Sequence, residues 1–241
     1  MAAGHSMLSR ESGVAGSKIV LVHGVGLGAL SLEPLARALA RHARVTRVEL
    51  PGFGRTPPQD PIASMDELAD FLAAFLRARG TSGAVLVGHS MGTAVVAGVA
   101  ARHPFLVRRL VLIGPVTDPR ARSFVRQGIR LLIDTCLESP STNAVVLREY
   151  ARCGIRRYVI ALTDMLRFDL EAAAPSITQP TLLIRGRHDP ISPRGWCESV
   201  ARCFPIARLM HIDGGAHVVL HSHPHRVASA IRAFIMEADG R

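Results

Sequence analysis

The stretch Ala84–Val96, AVLVGHSMGTAVV, decides how the rest of this 241-residue chain is read. The run from Ala84 to Val87 reads as a short buried strand, and the small and aliphatic residues from Met91 onward read as a helix. Between them stand Gly88-His-Ser-Met-Gly92. Glycine on both sides of Ser90 permits a very sharp turn, and a G-x-S-x-G turn between strand and helix lifts the serine hydroxyl above the end of a sheet. The tetrapeptide GHSM also occurs at Gly4–Met7, with no strand before it and no helix after it. Ser90 is therefore the candidate nucleophile, and Ser6 a chance repeat.

Outward from the turn, short aliphatic runs recur between helical stretches: KIVLVHG from Lys18, RVTRVELPG from Arg44, RRLVLIGPV from Arg108, PTLLIRGRHD from Pro180 and ARLMHIDGG from Ala207. Near-continuous apolar strands alternating with amphipathic helices predict an α/β fold, a mostly parallel central sheet flanked by helices. One domain spanning residues 1–241 is the expectation at this length. From about Asp118 to Pro175 the strand pattern lapses into two or three amphipathic helical stretches, too long for an ordinary connection. This segment is expected to form a small helical lid inserted within the domain.

A serine hydroxyl is a poor nucleophile at neutral pH and needs a base, which in turn needs an acid to orient it. Asp189 follows the strand TLLIRG and His217 follows the last strand, so both fall at carboxyl ends of parallel strands, where loops distant in sequence converge. Asp118 is a rival acid; Asp213 is too close to His217 in sequence to serve. Attack by serine on an acyl carbon creates an oxyanion, which backbone N–H groups must meet. Met91, directly after the nucleophile, supplies one donor and Val25, after His23-Gly24, the other.

Together HGVG, ELPGFGRT, GHSMG, GRHDP and GGAH resemble the α/β-hydrolase superfamily in content and order, over nearly the whole chain. The resemblance implies Ser90, Asp189 and His217 as a triad, Val25 and Met91 as the oxyanion hole, and esterase-like hydrolysis of an ester or thioester. The family usually opens with a strand pair before HG, yet seventeen residues precede Lys18, so at least one edge strand is expected to be missing. Dehalogenases and epoxide hydrolases of this fold carry aspartate at the elbow; carbon–carbon bond hydrolases favour Asn before the serine and Trp after the histidine, where this chain has His89 and Val218. Carbon–carbon cleavage and hydrolysis of acyl-carrier-protein esters stand as alternatives within the fold. From a different class, GVGLGA at Gly24–Ala29 with Glu49 fits a dinucleotide-binding fingerprint and would make an NAD-dependent oxidoreductase.

Composition restricts the partners. The net charge is +10, but Lys18 is the sole lysine and the arginines are scattered, so no basic tract points to nucleic acid. No span is long enough for a membrane helix, and the first residues lack the apolar core of a signal peptide, so a soluble, cytoplasmic enzyme is expected. The HSHPH run at His221–His225 lacks a completing carboxylate or cysteine; neither metal nor cofactor is expected. Arg122, Arg126 and Arg130 fall at helical spacing in the inserted segment and are candidates to receive an anionic or carrier-bound acyl ester.

Overall fold

In the computed structural model, which describes residues 7–57 and 60–237 and so leaves Ser6 outside the described residues, each aliphatic run forms a strand. The chain opens with β1 (Leu8–Ser12), β2 (Lys18–Val22), α1 (Glu33–Ala40) and β3 (Arg44–Glu49), then α2 (Met65–Ala78), β4 (Ala84–His89), α3 (Met91–Arg102) and β5 (Val107–Ile113). After β5 come α4 (Phe124–Leu137), α5 (Pro140–Cys153), α6 (Ile155–Arg167) and the single turn α7 (Leu170–Ala173). The sheet resumes with β6 (Thr181–Gly186), α8 (Arg194–Cys203) and β7 (Ala207–Ile212), and ends with α9 (Val219–Ser222) and α10 (Pro224–Glu237).

The seven strands lie in the order β1-β3-β2-β4-β5-β6-β7. All neighbours pair in parallel except β1, which runs antiparallel along β3 with Leu8 opposite Glu49. Among the described residues one strand, β1, precedes β2.

The period-two alternation of strand side chains divides the core between the two faces. Val20, Val22, Leu86, Leu110, Leu112 and Leu183 point toward α2, α3 and α8. Ile19, Leu21, Val85, Val87, Val111, Ile113 and Ile184 point toward α1 and α10. Helix α3 is buried from Met91 to Ala100, which is why its sequence shows small residues all round rather than one apolar stripe. Helix α2 starts at a capping box, with Ser64 Oγ accepting from Glu67 N and the Glu67 side chain accepting from Ser64 N.

Candidate active site

The turn between β4 and α3 is strained. Ser90 has φ 53° and ψ −120°, a backbone that residues with a Cβ rarely adopt. It is held because neither flanking glycine has room for a side chain: a Cβ on Gly92 would lie 2.5 Å from Val22 O and 2.7 Å from His23 O, and one on Gly88 would collide with the Gly92 carbonyl. Ser90 N donates to Ile113 O at 2.9 Å, and Thr93 N and Oγ1 both donate to Ser90 O. Ser90 stands at the N-terminus of α3, where the first backbone N–H groups, Met91 among them, have no acceptor within the helix.

His217 Nδ1 meets Asp189 Oδ2 at 2.9 Å, both side chains fully buried. The other carboxylate oxygen of Asp189 accepts from Ile191 N and Ser192 N, each at 2.8 Å, so the loop after β6 fixes the acid before the imidazole is considered. Arg185 secures the same loop by donating to Asp189 O and Ser192 O. Gly114, at φ 58°, forms the seat: a Cβ there would lie 2.9 Å from His217 Cε1 and 3.3 Å from Asp189 Oδ2. Burial opposes charge on both partners. The ion pair and its hydrogen bond prevail, holding Asp189 below the usual carboxylate range and lifting His217 to about 9, with Asp134 and Glu138 adding to the lift. His217 Nε2 is buried without a hydrogen-bond partner among the described residues. Asp118 is placed elsewhere, in an ion pair with Arg130 at 2.9 Å, and Asp213 pairs with Arg187 at the surface.

The loop after β2 closes over the turn, and a Cβ on Gly24 would lie 3.0 Å from Ser90 Cβ. His23 controls this loop. Its Nε2 accepts from Leu50 N at 3.1 Å, which leaves the proton on Nδ1 to be donated to Gly24 O at 2.9 Å. Burial pushes His23 down to about 4, so it stays neutral in this role. Because the Gly24–Val25 peptide is planar and trans, engaging its carbonyl from one side turns the Val25 N–H to the other.

The same loop does not suit a dinucleotide. Both oxygens of Glu49 are occupied by Ala29 N and Arg55 N. Gly26 packs against the rings of Tyr150 and Tyr158, and Gly28 packs against Gly54 and the Glu149 carboxylate, to which its N–H donates. A pyrophosphate would need that space and would face two buried carboxylates, so the oxidoreductase alternative is overturned.

Ser90, His217, Gly24 and Val25 open onto one cavity of about 230 Å³. Its walls are mostly apolar, with Leu27, Phe124, Leu131, Leu162, Met165 and Ile191 among them, and the polar members include Gln127, Asp134, Thr135 and Asn143 from α4 and α5. Much of this lining comes from α4, α5 and α6. His89, the variable residue of the motif, lies beside His217 with ring centroids 5.0 Å apart and ring planes inclined at 44°, and its Nε2–H donates to His217 O at 3.1 Å. Burial, then the neighbouring His217 charge, lowers it to about 3. Arg122, Arg126 and Arg130 do not line the cavity, contrary to what direct reception of an anionic acyl group requires. Arg122 faces Asp169 at 3.6 Å, Arg126 donates to Arg120 O, and Arg130 bridges Asp118 and Ile191 O. Among the described residues no cluster of His, Cys, Asp or Glu is arranged to hold a metal, and no helix is long and apolar enough to cross a membrane. In the HSHPH run, His221 instead contacts Thr142 Oγ1 and His223 contacts Ser222 Oγ.

Several groups that shape this site were not picked out from the sequence: His23 and His89 as braces, Gly114 as the seat, and Asp134, Glu138 and Glu149 from the segment between β5 and β6. His23 and His89 do belong to the HG and GHSMG motifs, and that adjacency is the one signal that marks them.

Comparison with known proteins agrees with this architecture. The chain is 30% identical over 250 residues to the polyketide synthase ThaQ of Burkholderia thailandensis, an alignment covering 93% of this chain but 12% of that protein. It is 29% identical over 245 residues to a pimeloyl-[acyl-carrier protein] methyl ester esterase of Aromatoleum aromaticum, covering 88% of this chain and 96% of the relative. Among solved structures, a thermophilic esterase from Thermogutta terrifontis superposes with a TM-score of 0.83 at 24% identity, covering 96% of this chain and 93% of that one. An enol-lactonase from Burkholderia xenovorans LB400 gives 0.83 at 22%, covering 97% and 98%. The alpha/beta hydrolase family itself matches residues 19–230, nearly the whole described chain, and it is to this family that the chain belongs.

Proposed function

We propose that the protein is a serine hydrolase that cleaves a carboxylic ester or thioester through an acyl-enzyme. The observation that carries this reading is the convergence of Ser90, the His217–Asp189 pair and the Gly24–Val25 peptide on one apolar cavity. In this reading Ser90 Oγ attacks the acyl carbon while His217 Nε2 takes its proton; Asp189 holds Nδ1–H and stabilises the imidazolium. The N–H groups of Val25 and Met91 meet the oxyanion. His217 then returns the proton to the departing alkoxide or thiolate, and a water activated by the same nitrogen releases the acid. Residues 118–175 serve as the lid of a single domain, and the enzyme works in the cytoplasm without metal or cofactor.

The lining favours a neutral, apolar acyl group over a charged one, because no arginine or lysine enters the cavity among the described residues. A carrier-bound substrate is the second reading, favoured by the names of the full-length relatives; its carrier would rest on the outer arginines while the acyl chain enters below. A screen of p-nitrophenyl esters of increasing chain length, alongside acyl-CoA and acyl-carrier-protein esters, tests both. Apolar esters of intermediate length should be turned over best. Replacing Arg122, Arg126 and Arg130 with Ala should raise KM for carrier-bound esters alone, an effect that shrinks with salt as exposed charges are screened over about 8–10 Å. Equal kinetics for neutral and carrier-bound esters before and after the change would reduce the arginines to surface charge.

The acidity of His217 sets a second expectation. A base must be neutral to accept a proton, and His217 keeps its proton up to about 9. kcat/KM should therefore rise through neutral pH, about tenfold per unit well below the midpoint, and level off on the alkaline side. A midpoint at or below the ordinary imidazole value would contradict the role assigned to the ion pair.

A further inference from the structure

The helices between β5 and β6 bury three carboxylates that a simple cover has no reason to bury. Asp134 in the last turn of α4 and Glu138, which caps the C-terminus of that helix, are 3% and 8% exposed, and Glu149 on α5 is 2% exposed. Removing charge from water is costly unless the group gains hydrogen bonds in return. Each of the three gains one from the backbone of a loop at the site. Asp134 Oδ1 accepts from His217 N at 2.8 Å and Glu138 Oε1 from Val218 N at 2.7 Å, so two successive amides of one loop are held by the C-terminal end of one helix and its capping residue. Glu149 Oε2 accepts from Gly28 N, in the loop that begins with Gly24 and Val25. Arg152, 4.0 Å from Glu149, is the cation beside it. Burial raises the proton affinity of all three acids, Glu138 to about 7, which fits groups held mainly by amides.

We propose that these helices position the catalytic groups as well as cover them: the carboxylates of Asp134, Glu138 and Glu149 hold, through backbone N–H groups, the two loops that carry His217 and Val25. This rests on the roles given to His217 and Val25 above. The three acids are positioning residues, since none is required to touch the reacting atoms. A cover tied to the base and to the oxyanion loop makes opening of the cavity and assembly of the site one event.

The test compares truncation with conservative replacement. Asp134→Ala, Glu138→Ala and Glu149→Ala remove the acceptor; Asp134→Asn, Glu138→Gln and Glu149→Gln keep an acceptor oxygen. Each alanine variant should lower kcat on a short p-nitrophenyl ester by about 10–100-fold, the scale of a small misplacement of catalytic groups, with KM moved less than about threefold. The amide variants should recover most of that kcat. The charged and titratable groups facing His217 are Asp189 from the loop after β6, Asp134 from α4, Glu138 from its C-cap, and His89 from the end of β4. Asp134→Asn should therefore shift the midpoint of the kcat/KM profile to lower pH, a readout that survives if an alanine variant fails to fold. Hydrogen exchange at the amides of Gly28, His217 and Val218 should quicken on the order of tenfold in the matching alanine variant and stay near wild type in the amide variant. Unchanged exchange, or a change confined to KM, overturns the proposal. If the wild-type chain hydrolyses no ester and takes no fluorophosphonate label at Ser90, the functional reading fails instead, and amide exchange still decides whether the carboxylates hold the loops.

Discussion

Replacing Ser90 with alanine should lower kcat for ester hydrolysis by about 10⁴-fold or more. Without the hydroxyl no acyl-enzyme forms, and what remains is the contribution of the oxyanion donors and of binding. Stability should hardly move, because alanine keeps the Cβ that already fits beside Gly24 and meets the same cost at φ 53°. Ser90→Gly separates the two properties: glycine adopts that backbone freely, so this variant should be as inactive but more stable by about 1 kcal/mol. Rates on a p-nitrophenyl ester, measured alongside thermal unfolding of the three proteins, check both statements. Turnover by Ser90→Ala within tenfold of wild type would end the serine-hydrolase reading.

Asp189→Asn should be nearly as damaging, on the order of 10⁴-fold in kcat. The reason is local. One carboxylate oxygen of Asp189 accepts from Ile191 N and Ser192 N, and the asparagine oxygen must stay there to satisfy the same two donors. Its NH₂ is then turned toward His217 Nδ1, which can only accept, so the imidazole proton moves to Nε2 and blocks uptake of the serine proton. Asp118→Asn, which weakens the contact to Arg130 and leaves His217 untouched, should change kcat far less. The reverse ranking of the two variants would transfer the acid role to Asp118.

How much of this was visible in the sequence depended on the range of the interaction concerned. β2, β4, β5 and β6 announced themselves because each is apolar over at least three consecutive residues, β3 (RVTRVE) because its valines alternate with polar residues ahead of the turn signal LPG, and the sharp turn at Ser90 because only Gly88 and Gly92 fit where they stand. That Asp189 and His217 come together was legible because both follow a recognisable strand. The carboxylates of α4, its C-cap and α5 were not. Asp134 and Glu138 contact residues 83 and 80 positions away, and Glu149 a residue 121 positions away. On an amphipathic helix an acid that turns inward to a distant amide has the same periodicity as one that faces water. The partners of Arg130 were hidden for the same reason: helical spacing groups it with Arg122 and Arg126, whereas Asp118 and Ile191, which it contacts, lie in loops that spacing does not reach. The cavity lining was equally hidden, because apolar residues around a cavity and apolar residues in a core follow one pattern.

The two faces of the sheet have different histories during synthesis. On one face, α2 and α3 pack against strands that flank them in the chain, so this part of the layer can form once β5 has emerged, before β6 and α8 extend it. On the other, Leu35 and Leu39 of α1 share their cluster with Val227, Ile231 and Phe234 of α10. That layer joins segments from opposite ends of the sequence, and closing it waits for nearly the whole chain. Until then an apolar stripe of α1 remains open to water and to other nascent chains, the condition in which partly made proteins aggregate. His217 arrives just ahead of α10, so the Asp189–His217 pair and the last layer of the fold are completed together.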